Sequence, residues 1–262
     1  MNRFVLFLLS LLLWCSTEVF AQIGEYRNEL AVGFNGGMTL SSVSFVAEVP
    51  QNKLKGKTFG LSMRYTGEKY FNSICAIVAE LNYAQVGWEE RIWDINDNPV
   101  INQLTEMPEE YSRVINYIQI PLLARLGWGR ERRGLQAFFQ IGPQMGIYLD
   151  EKTEANFDID HPNMVYRVSP VSGPNTGGYS FSNMYHMPVE NKFDYGIVGG
   201  IGLEFSHRRF GHFMVEGRYY FGLGNIYGNS KRDYFSKSNL QNIVIKATYL
   251  FDIVKSKNTK IK

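Results

Sequence analysis

The sequence predicts an all-β fold, an eight-stranded antiparallel transmembrane β-barrel with short periplasmic turns and long extracellular loops. Three observations indicate it: a two-residue alternation recurs in eight segments, one face of each segment is apolar, and short and long connectors alternate. Residues 135–149, LQAFFQIGPQMGIYL, place Leu135 and Ile141 on one face and Gln136 and Gln140 on the other. A soluble sheet normally carries charged residues on its polar face. This uncharged, narrow face therefore predicts the packed interior of a barrel.

Eight segments show the alternation that is typical of strands. They lie at residues 29–38, 57–66, 74–85, 116–128, 135–149, 193–205, 212–221 and 242–251. Three connectors between them are short, and four are long, at residues 39–56, 89–112, 150–192 and 222–238. An even number of strands with tight turns at one rim and long loops at the other is typical of outer-membrane barrels. Closure of the sheet leaves no unpaired backbone edge in lipid.

The N-terminal residues predict export from the cytoplasm. Arg3 precedes the apolar stretch Phe4–Trp14, and a small-residue cleavage pattern ends at Ala21, so residues 1–21 are predicted to be a signal peptide. The apolar stretch is shorter than the roughly 18 residues that a spanning helix requires. Cleavage leaves Cys75 as the single cysteine, and no internal disulfide can form.

The composition of the remaining chain excludes several function classes. The formal net charge is +2, and residues after the signal peptide contain no long apolar run, which excludes helical membrane spans. Neither a basic helix nor a phosphate-binding glycine loop is present, so no nucleic-acid partner is expected. Residues 22–254 are predicted to form the barrel, and residues 255–262 a basic periplasmic tail.

The inward face carries a small set of charged residues with four of each sign. They are Arg64, Glu80, Arg125, Asp194, Glu204, Glu216, Arg218 and Lys246. Side chains just fill the interior of an eight-stranded barrel, and an unpaired charge there would be costly. We therefore predict that these residues pair as a lumen charge network that plugs the barrel.

Aromatic residues near the strand ends are expected to form the two interfacial girdles. They are Tyr65, Tyr70, Phe71, Trp88, Trp128, Tyr148, Phe193, Phe213 and Phe251. The alternative is a soluble barrel of the lipocalin kind, which also has eight strands. Its exterior would need charge, whereas here the strand charges share the face opposite to the apolar one.

Five segments resemble a known family: GFNGGMTLSSVSF, RYTGEKYF, AELNYAQVGW, NYIQIPLLARLGW and FQIGPQMGIYL. On these segments the chain resembles the PorT-like outer-membrane β-barrel family of Bacteroidetes, over essentially the whole of the predicted mature chain. The best-known member of that family is linked to the type IX secretion system. The resemblance therefore implies an outer-membrane location and a link to protein secretion, although the segments contain no catalytic constellation.

An envelope lipid-modifying enzyme is a weaker alternative. Small outer-membrane barrels of that class place a His, a Ser and a carboxylate at the outer rim. Here His207 falls in a short periplasmic turn, His212 begins the next strand, and His161 and His186 lie in the long third loop. Neither outer His is held on a strand or paired with a Ser, whereas a general base must be within hydrogen-bond reach of its partner. No catalytic residue is therefore predicted.

Acidic residues at the start of the third loop could hold a hard cation such as calcium. They are Asp150, Glu151, Glu154, Asp158 and Asp160, followed by His161. Their spacing fits no calcium-binding loop, so a solvated acidic segment is favoured. No metal or cofactor is predicted, and the ligand of the loop at residues 150–192 stays open.

The sequence favours a non-enzymatic structural or interaction module of the cell envelope, located in the outer membrane. The expected partners are outer-membrane lipid and lipopolysaccharide, together with the secretion or envelope-assembly proteins that the resemblance implies. A narrow outer-membrane channel is the first alternative, and the lipid-modifying enzyme is the second.

Overall fold

The computed structural model describes most of the predicted barrel. The described residues are 25–46, 49–70, 73–92, 98–102, 105–130, 134–157, 185–207, 209–228 and 235–254. The predicted signal peptide, the predicted tail at residues 255–262 and Phe71 lie outside them. Within the described residues, no helix is long and apolar enough to cross a membrane.

Nine β-strands make up the described part of the chain. They are β1 (Glu25–Val46), β2 (Gln51–Asn52), β3 (Leu54–Tyr70), β4 (Ser73–Arg91), β5 (Glu110–Gly129), β6 (Gly134–Ala155), β7 (Phe193–His207), β8 (Gly211–Asn225) and β9 (Lys237–Val254). The eight long strands form one antiparallel ring in the order β1, β3, β4, β5, β6, β7, β8 and β9, and β9 pairs with β1 to close it. This ring confirms the predicted eight-stranded antiparallel barrel.

The two rims of the barrel differ in their connections. Short turns join β3 to β4, β5 to β6 and β7 to β8, and the longer connectors lie at the opposite rim. Gly129 and Gly211 border two of the short turns with φ values of 130° and 84°, which few other residues adopt. Short turns face the periplasm in outer-membrane barrels. β1 therefore begins, and β9 ends, at the periplasmic rim.

The strands extend further toward the extracellular rim than the sequence predicts. Residues 39–46 belong to β1 and residues 150–155 to β6, although both stretches were expected in long loops. In β1, two polar side chains of this stretch are buried and bond to the main chain of β4: the Thr39 hydroxyl donates to the Gln85 carbonyl (2.6 Å), and the Ser41 hydroxyl accepts from the Gly87 amide (2.8 Å). In β6, Lys152 and Glu154 are exposed and pair with each other on the outer surface. In β1, a polar interior thus explains why strand residues resembled a loop.

The apolar face of each strand points outward, as predicted. On β6, Ile141 is 46% exposed, whereas its neighbour Gln140 is 1% exposed. On β7, Ile201 is 69% exposed and Glu204 is 1% exposed. This inversion of the soluble pattern is what a lipid surround requires.

Trp88 and Tyr148 are exceptions to the predicted aromatic girdles, and for these two residues the prediction was wrong. Tyr148 lies opposite the buried Tyr117 on the inner face, with ring centroids 6.2 Å apart. The Trp88 side chain faces the interior and is buried. The indole Nε1–H donates to Glu90 (2.7 Å), and the ring packs edge-on against Phe45 with centroids 5.2 Å apart. Position near a strand end therefore does not identify an interfacial aromatic residue, because the register decides which face it occupies.

Candidate functional site

A central charge cluster lies midway along the interior and consists of Glu80, Glu216, Arg218 and Lys246. The Arg218 guanidinium donates to both carboxylate oxygens of Glu80 at 2.8 Å, and the Lys246 ammonium lies 2.6 Å from the same carboxylate. Arg218 and Lys246 also approach Glu216, at 2.9 and 3.4 Å. All four side chains are almost fully buried. Their two positive and two negative charges balance within the cluster.

The central charge cluster connects opposite walls of the barrel. Glu80 lies on β4 and Arg218 on β8, and these strands are halfway round the ring from each other. Asn82 donates to Glu80 (2.9 Å), Asn35 donates to Asn82 (2.8 Å), and the Gln140 amide donates to Glu216. Side-chain amides on the inner face thus orient the two carboxylates that pair with Arg218 and Lys246.

Two glycines make room for this cluster. A Cβ atom at Gly200 would lie 2.7 Å from Cγ of Arg218, and one at Gly202 would lie 2.8 Å from Cβ of Glu216. Both distances are too short for a side chain to be added without displacing the charged residues. Glycine on the inner face of β7 is therefore a packing requirement of the cluster.

A periplasmic charge cluster lies nearer the short turns and is centred on Glu204. Arg64 lies 2.7 Å from this carboxylate, and Arg125 pairs with the same oxygen. His212 contacts the other oxygen of Glu204 through Nδ1 (2.6 Å) and contacts Asp252 through Nε2 (2.9 Å). Arg64 on β3 and Glu204 on β7 are again halfway round the ring. Two separate levels of ion pairs therefore cross the interior.

Asp194 is the one residue of the predicted network that lies apart from both clusters. Its carboxylate accepts a hydrogen bond from the Tyr220 hydroxyl (2.7 Å), and no ion pair among the described residues includes it. Its strand register places it opposite Gly146, near the extracellular end of β7. The cations of the central cluster lie closer to the periplasm, so the pairing expected from equal charge numbers does not extend to this residue.

The extracellular end of the interior is filled by a group of buried side chains that we call the extracellular cap. Its members are Phe45, Trp88, Tyr111, Arg113, Ile115, Tyr185, Val189, Ile226, Tyr227, Phe235 and Leu240. Arg113 lies among three of the aromatic rings, with its guanidinium carbon 5.6 Å from the Trp88 centroid, 6.0 Å from Tyr111 and 5.9 Å from Tyr227. These are distances at which a cation is attracted to a ring face.

Arg113 also ties two extracellular connectors to the barrel wall. It donates to the main-chain oxygens of Met187 (2.5 Å) and Tyr185 (2.6 Å) and to the Tyr227 hydroxyl (2.6 Å), and it lies 3.6 Å from Glu151. Burial raises the pKa of the Tyr227 phenol, so this hydroxyl stays neutral. Met187 and Tyr185 precede β7 and Tyr227 follows β8, so one guanidinium fixes both connectors on β5.

A comparison with known families decides the class of this protein. Residues 20–228 match the family described as outer membrane protein beta-barrel domain. The chain belongs to this family. It is an outer-membrane β-barrel, in agreement with the outward apolar face and the closed ring.

The chain is also similar, at low identity and low TM-score, to three solved structures. One is Ail, the attachment invasion locus protein of Yersinia pestis, solved in complex with the heparin analogue sucrose octasulfate. Ail is 11% identical to this chain, the match covers 85% of this chain and 99% of Ail, and the TM-score is 0.35. Neisserial surface protein A is 9% identical over 85% of this chain and 97% of that one, with a TM-score of 0.38. OprG of Pseudomonas aeruginosa is 13% identical over 87% and 98%, with a TM-score of 0.37. No curated protein sequence matches the chain.

The space left beside the periplasmic charge cluster of this outer-membrane barrel is small. A cavity of about 20 Å³ lies between Arg64, Arg125, Glu204 and His212. A cavity of that size holds about one water molecule. Among the described residues, no group of three or more His, Cys, Asp or Glu side chains is placed to hold a metal ion. Asp158, Asp160 and His161 of the acidic segment lie outside those residues.

Two residues of the site, Arg113 and His212, were missed by sequence reasoning. Arg113 lies between Tyr111 and Ile115 in the two-residue alternation of β5, which continues on the N-terminal side of the strand predicted at residues 116–128. His212 is opposite Ser206 in the β7–β8 hairpin, so the register of that short turn could have placed it inside. Both residues can be assigned to the interior from local sequence once the ends of the predicted strands are extended.

Replacing Arg113 by Met is expected to loosen the extracellular cap by about 1–3 kcal/mol, because buried carbonyl oxygens lose their donor. Hydrogen exchange should accelerate at residues 185–189 and 226–227. Arg91→Met is the control, since Arg91 is exposed at the same rim, and it should leave exchange unchanged. Wild-type protection of both connectors in Arg113→Met would contradict the role given to this side chain.

Proposed function

We propose that this outer-membrane barrel is a closed, non-enzymatic structural or interaction module of the envelope. The observation that carries the proposal is the pairing of residues on opposite walls, Arg218 with Glu80 and Arg64 with Glu204. Ion pairs of this kind occupy the space that a solute would need, and the extracellular cap fills the barrel above them. A channel would require a water-filled path between these levels.

The surroundings of His212 support a non-enzymatic role. Its Nδ1 lies 2.9 Å from the Ser206 hydroxyl, and Asp252 contacts Nε2, so the three residue types of a hydrolytic triad are adjacent. Ser206 is nevertheless 1% exposed and donates to Glu204 (3.0 Å). A nucleophile has to reach its substrate, and the neighbouring cavity of about 20 Å³ admits no acyl chain. We assign these residues to the plug.

The interaction part of the proposal follows the PorT-like resemblance, which implies a link to type IX secretion. A rigid barrel with a fixed extracellular cap is suited to present surfaces at both rims while the interior stays inert. The proposed partners are secretion or envelope-assembly proteins, and the rim that contacts them can be identified directly.

Photo-crosslinking in outer membranes tests this proposal. A crosslinking residue at Phe210, 70% exposed in a periplasmic turn, and one at Met107, 63% exposed at the extracellular rim, sample the two surfaces. Leu203, 52% exposed on the lipid-facing band, is the matched control. We expect a secretion or assembly protein to be captured from one rim and not from Leu203. Recovery of the monomer alone from both rims would contradict an interaction module.

A further inference from the structure

A column of lysines lies on the outer surface at the extracellular end of β3, where the apolar band ends; Lys55 and Lys57 belong to the strand, and Lys53 directly precedes it. Lys53, Lys55 and Lys57 are exposed, and Phe59 and Leu61 continue the same face toward the periplasm. Alternate residues on a strand are about 7 Å apart. Lys57 therefore lies about 7 Å along the strand from Phe59, on the extracellular side of the apolar band. This position corresponds to the depth of the outer-leaflet headgroups.

The surroundings of Lys55 and Lys57 do not neutralise them. Leu40 and Met38 lie opposite them on β1, and among the described residues no ion pair includes either lysine. Glu89 on β4 is opposite Asn52, beside Lys53, so it can compensate only the top of the column. At the same level of β6 the exposed residues are of mixed sign, with Lys152 paired to Glu154. Within the described part of the chain, the β3 face thus carries positive charge that no ion pair compensates.

Two shallow apolar grooves lie on the lipid-facing surface, and one of them includes Phe59, which follows Lys57 on the same face of β3. One of about 550 Å³ is lined by Phe59, Tyr83 and Ile118, and one of about 420 Å³ by Met63 and Ala79. They share Phe34, Leu61 and Leu81, which are all at least half exposed. An apolar surface of two adjoining grooves, with exposed lysines beyond its Phe59 end, matches an amphiphile with an anionic head.

We propose that the β3 face binds one phosphorylated glycolipid of the outer leaflet, with a phosphate on Lys55 and Lys57 and an acyl chain in the grooves. Lysine binds phosphate as a point charge, and basic residues at a membrane surface attract anionic headgroups. A second copy of this chain is a poorer occupant, because a symmetric contact would bring the two lysine columns together. The site depends on the outer-membrane location of the barrel and is independent of whether the lumen conducts.

Native mass spectrometry of the detergent-solubilised, full-length barrel tests the site. The probes are bisphosphorylated lipid A and the same lipid without its phosphates. Lys55→Gln with Lys57→Gln removes the cations, and Ala79→Phe fills the groove without changing charge. Lys152→Gln with Lys192→Gln is the control, since it removes two exposed lysines from the side of β6 and β7. Retention of the folded form on an unboiled gel verifies each variant.

We expect one bisphosphorylated lipid on the wild type and on the control. The Lys55 and Lys57 variant should bind about 25-fold more weakly, because each lysine near an anionic surface contributes about a fivefold factor. Ala79→Phe should also bind more weakly, and the dephosphorylated lipid should bind poorly to every form. Wild-type affinity in either variant, equal binding of the two lipids, or a protein dimer in place of the lipid complex would each overturn the proposal.

Discussion

Arg218→Ala is expected to destabilise the barrel by about 3–5 kcal/mol, the usual cost of breaking a buried ion pair. Arg218 contacts both Glu80 and Glu216, and without it the two buried carboxylates share the single ammonium of Lys246. The measurement is urea unfolding of the reconstituted barrel, followed by the shift between folded and unfolded bands on an unboiled gel.

The controls for Arg218→Ala separate charge imbalance from lost packing. Replacing Arg218 and Glu80 together by Met leaves Lys246 and Glu216 as one neutral pair, so this double variant should be less destabilised than Arg218→Ala. Lys152→Ala removes an exposed ion pair and should leave unfolding unchanged. If Arg218→Ala unfolds at the wild-type urea concentration, the central charge cluster does not stabilise the barrel.

Ile141→Arg is expected to destabilise the barrel by about 2–4 kcal/mol, the cost of an Arg at the midplane of the lipid-facing surface. Ile141 is exposed on β6 within the apolar band, so the new charge would face acyl chains. Ile141→Leu keeps an apolar side chain there and should match the wild type. The same urea titration in liposomes measures both, and equal stability of Ile141→Arg and Ile141→Leu would contradict the outward assignment.

The neighbouring change Gln140→Glu shows what the structure adds to the sequence pattern. By alternation alone, an acidic residue on the inner face should be milder than Arg on the lipid face. The Gln140 amide, however, donates to Glu216, so Glu at this position would set two carboxylates against each other in a cluster whose charges already balance. We therefore expect Gln140→Glu to be damaging as well.

The strands and their faces could be predicted because geometry leaves few options. Side chains of a strand alternate strictly, and surrounding lipid requires an apolar outer face. The sequence of each of the eight segments alone therefore indicates which residues face lipid and which face the interior. The strand ends were less predictable: Thr39 and Ser41 are polar because they bond across the interior, and polarity in a sequence equally indicates a loop.

The pairing of interior charges could be predicted only in part. Seven of the eight proposed residues lie in the two clusters. Which cation pairs with which carboxylate depends on the heights along the barrel axis at which residues of distant strands lie. Arg218 and Glu80 are separated by 138 positions in sequence, and no local pattern relates them. Asp194 lies apart for the same reason, since its level contains Tyr220 and no cation of either cluster.

The measurement that most directly tests the closed barrel is the current through planar bilayers that contain the purified wild-type protein. The two levels of ion pairs and the extracellular cap predict almost no current, while a general porin in the same bilayers conducts and verifies the recording. Folded protein recovered from the bilayer lipid, shown by its unboiled gel mobility, verifies insertion. Steady, ion-selective conductance from the wild-type protein would contradict the plugged interior and establish a channel.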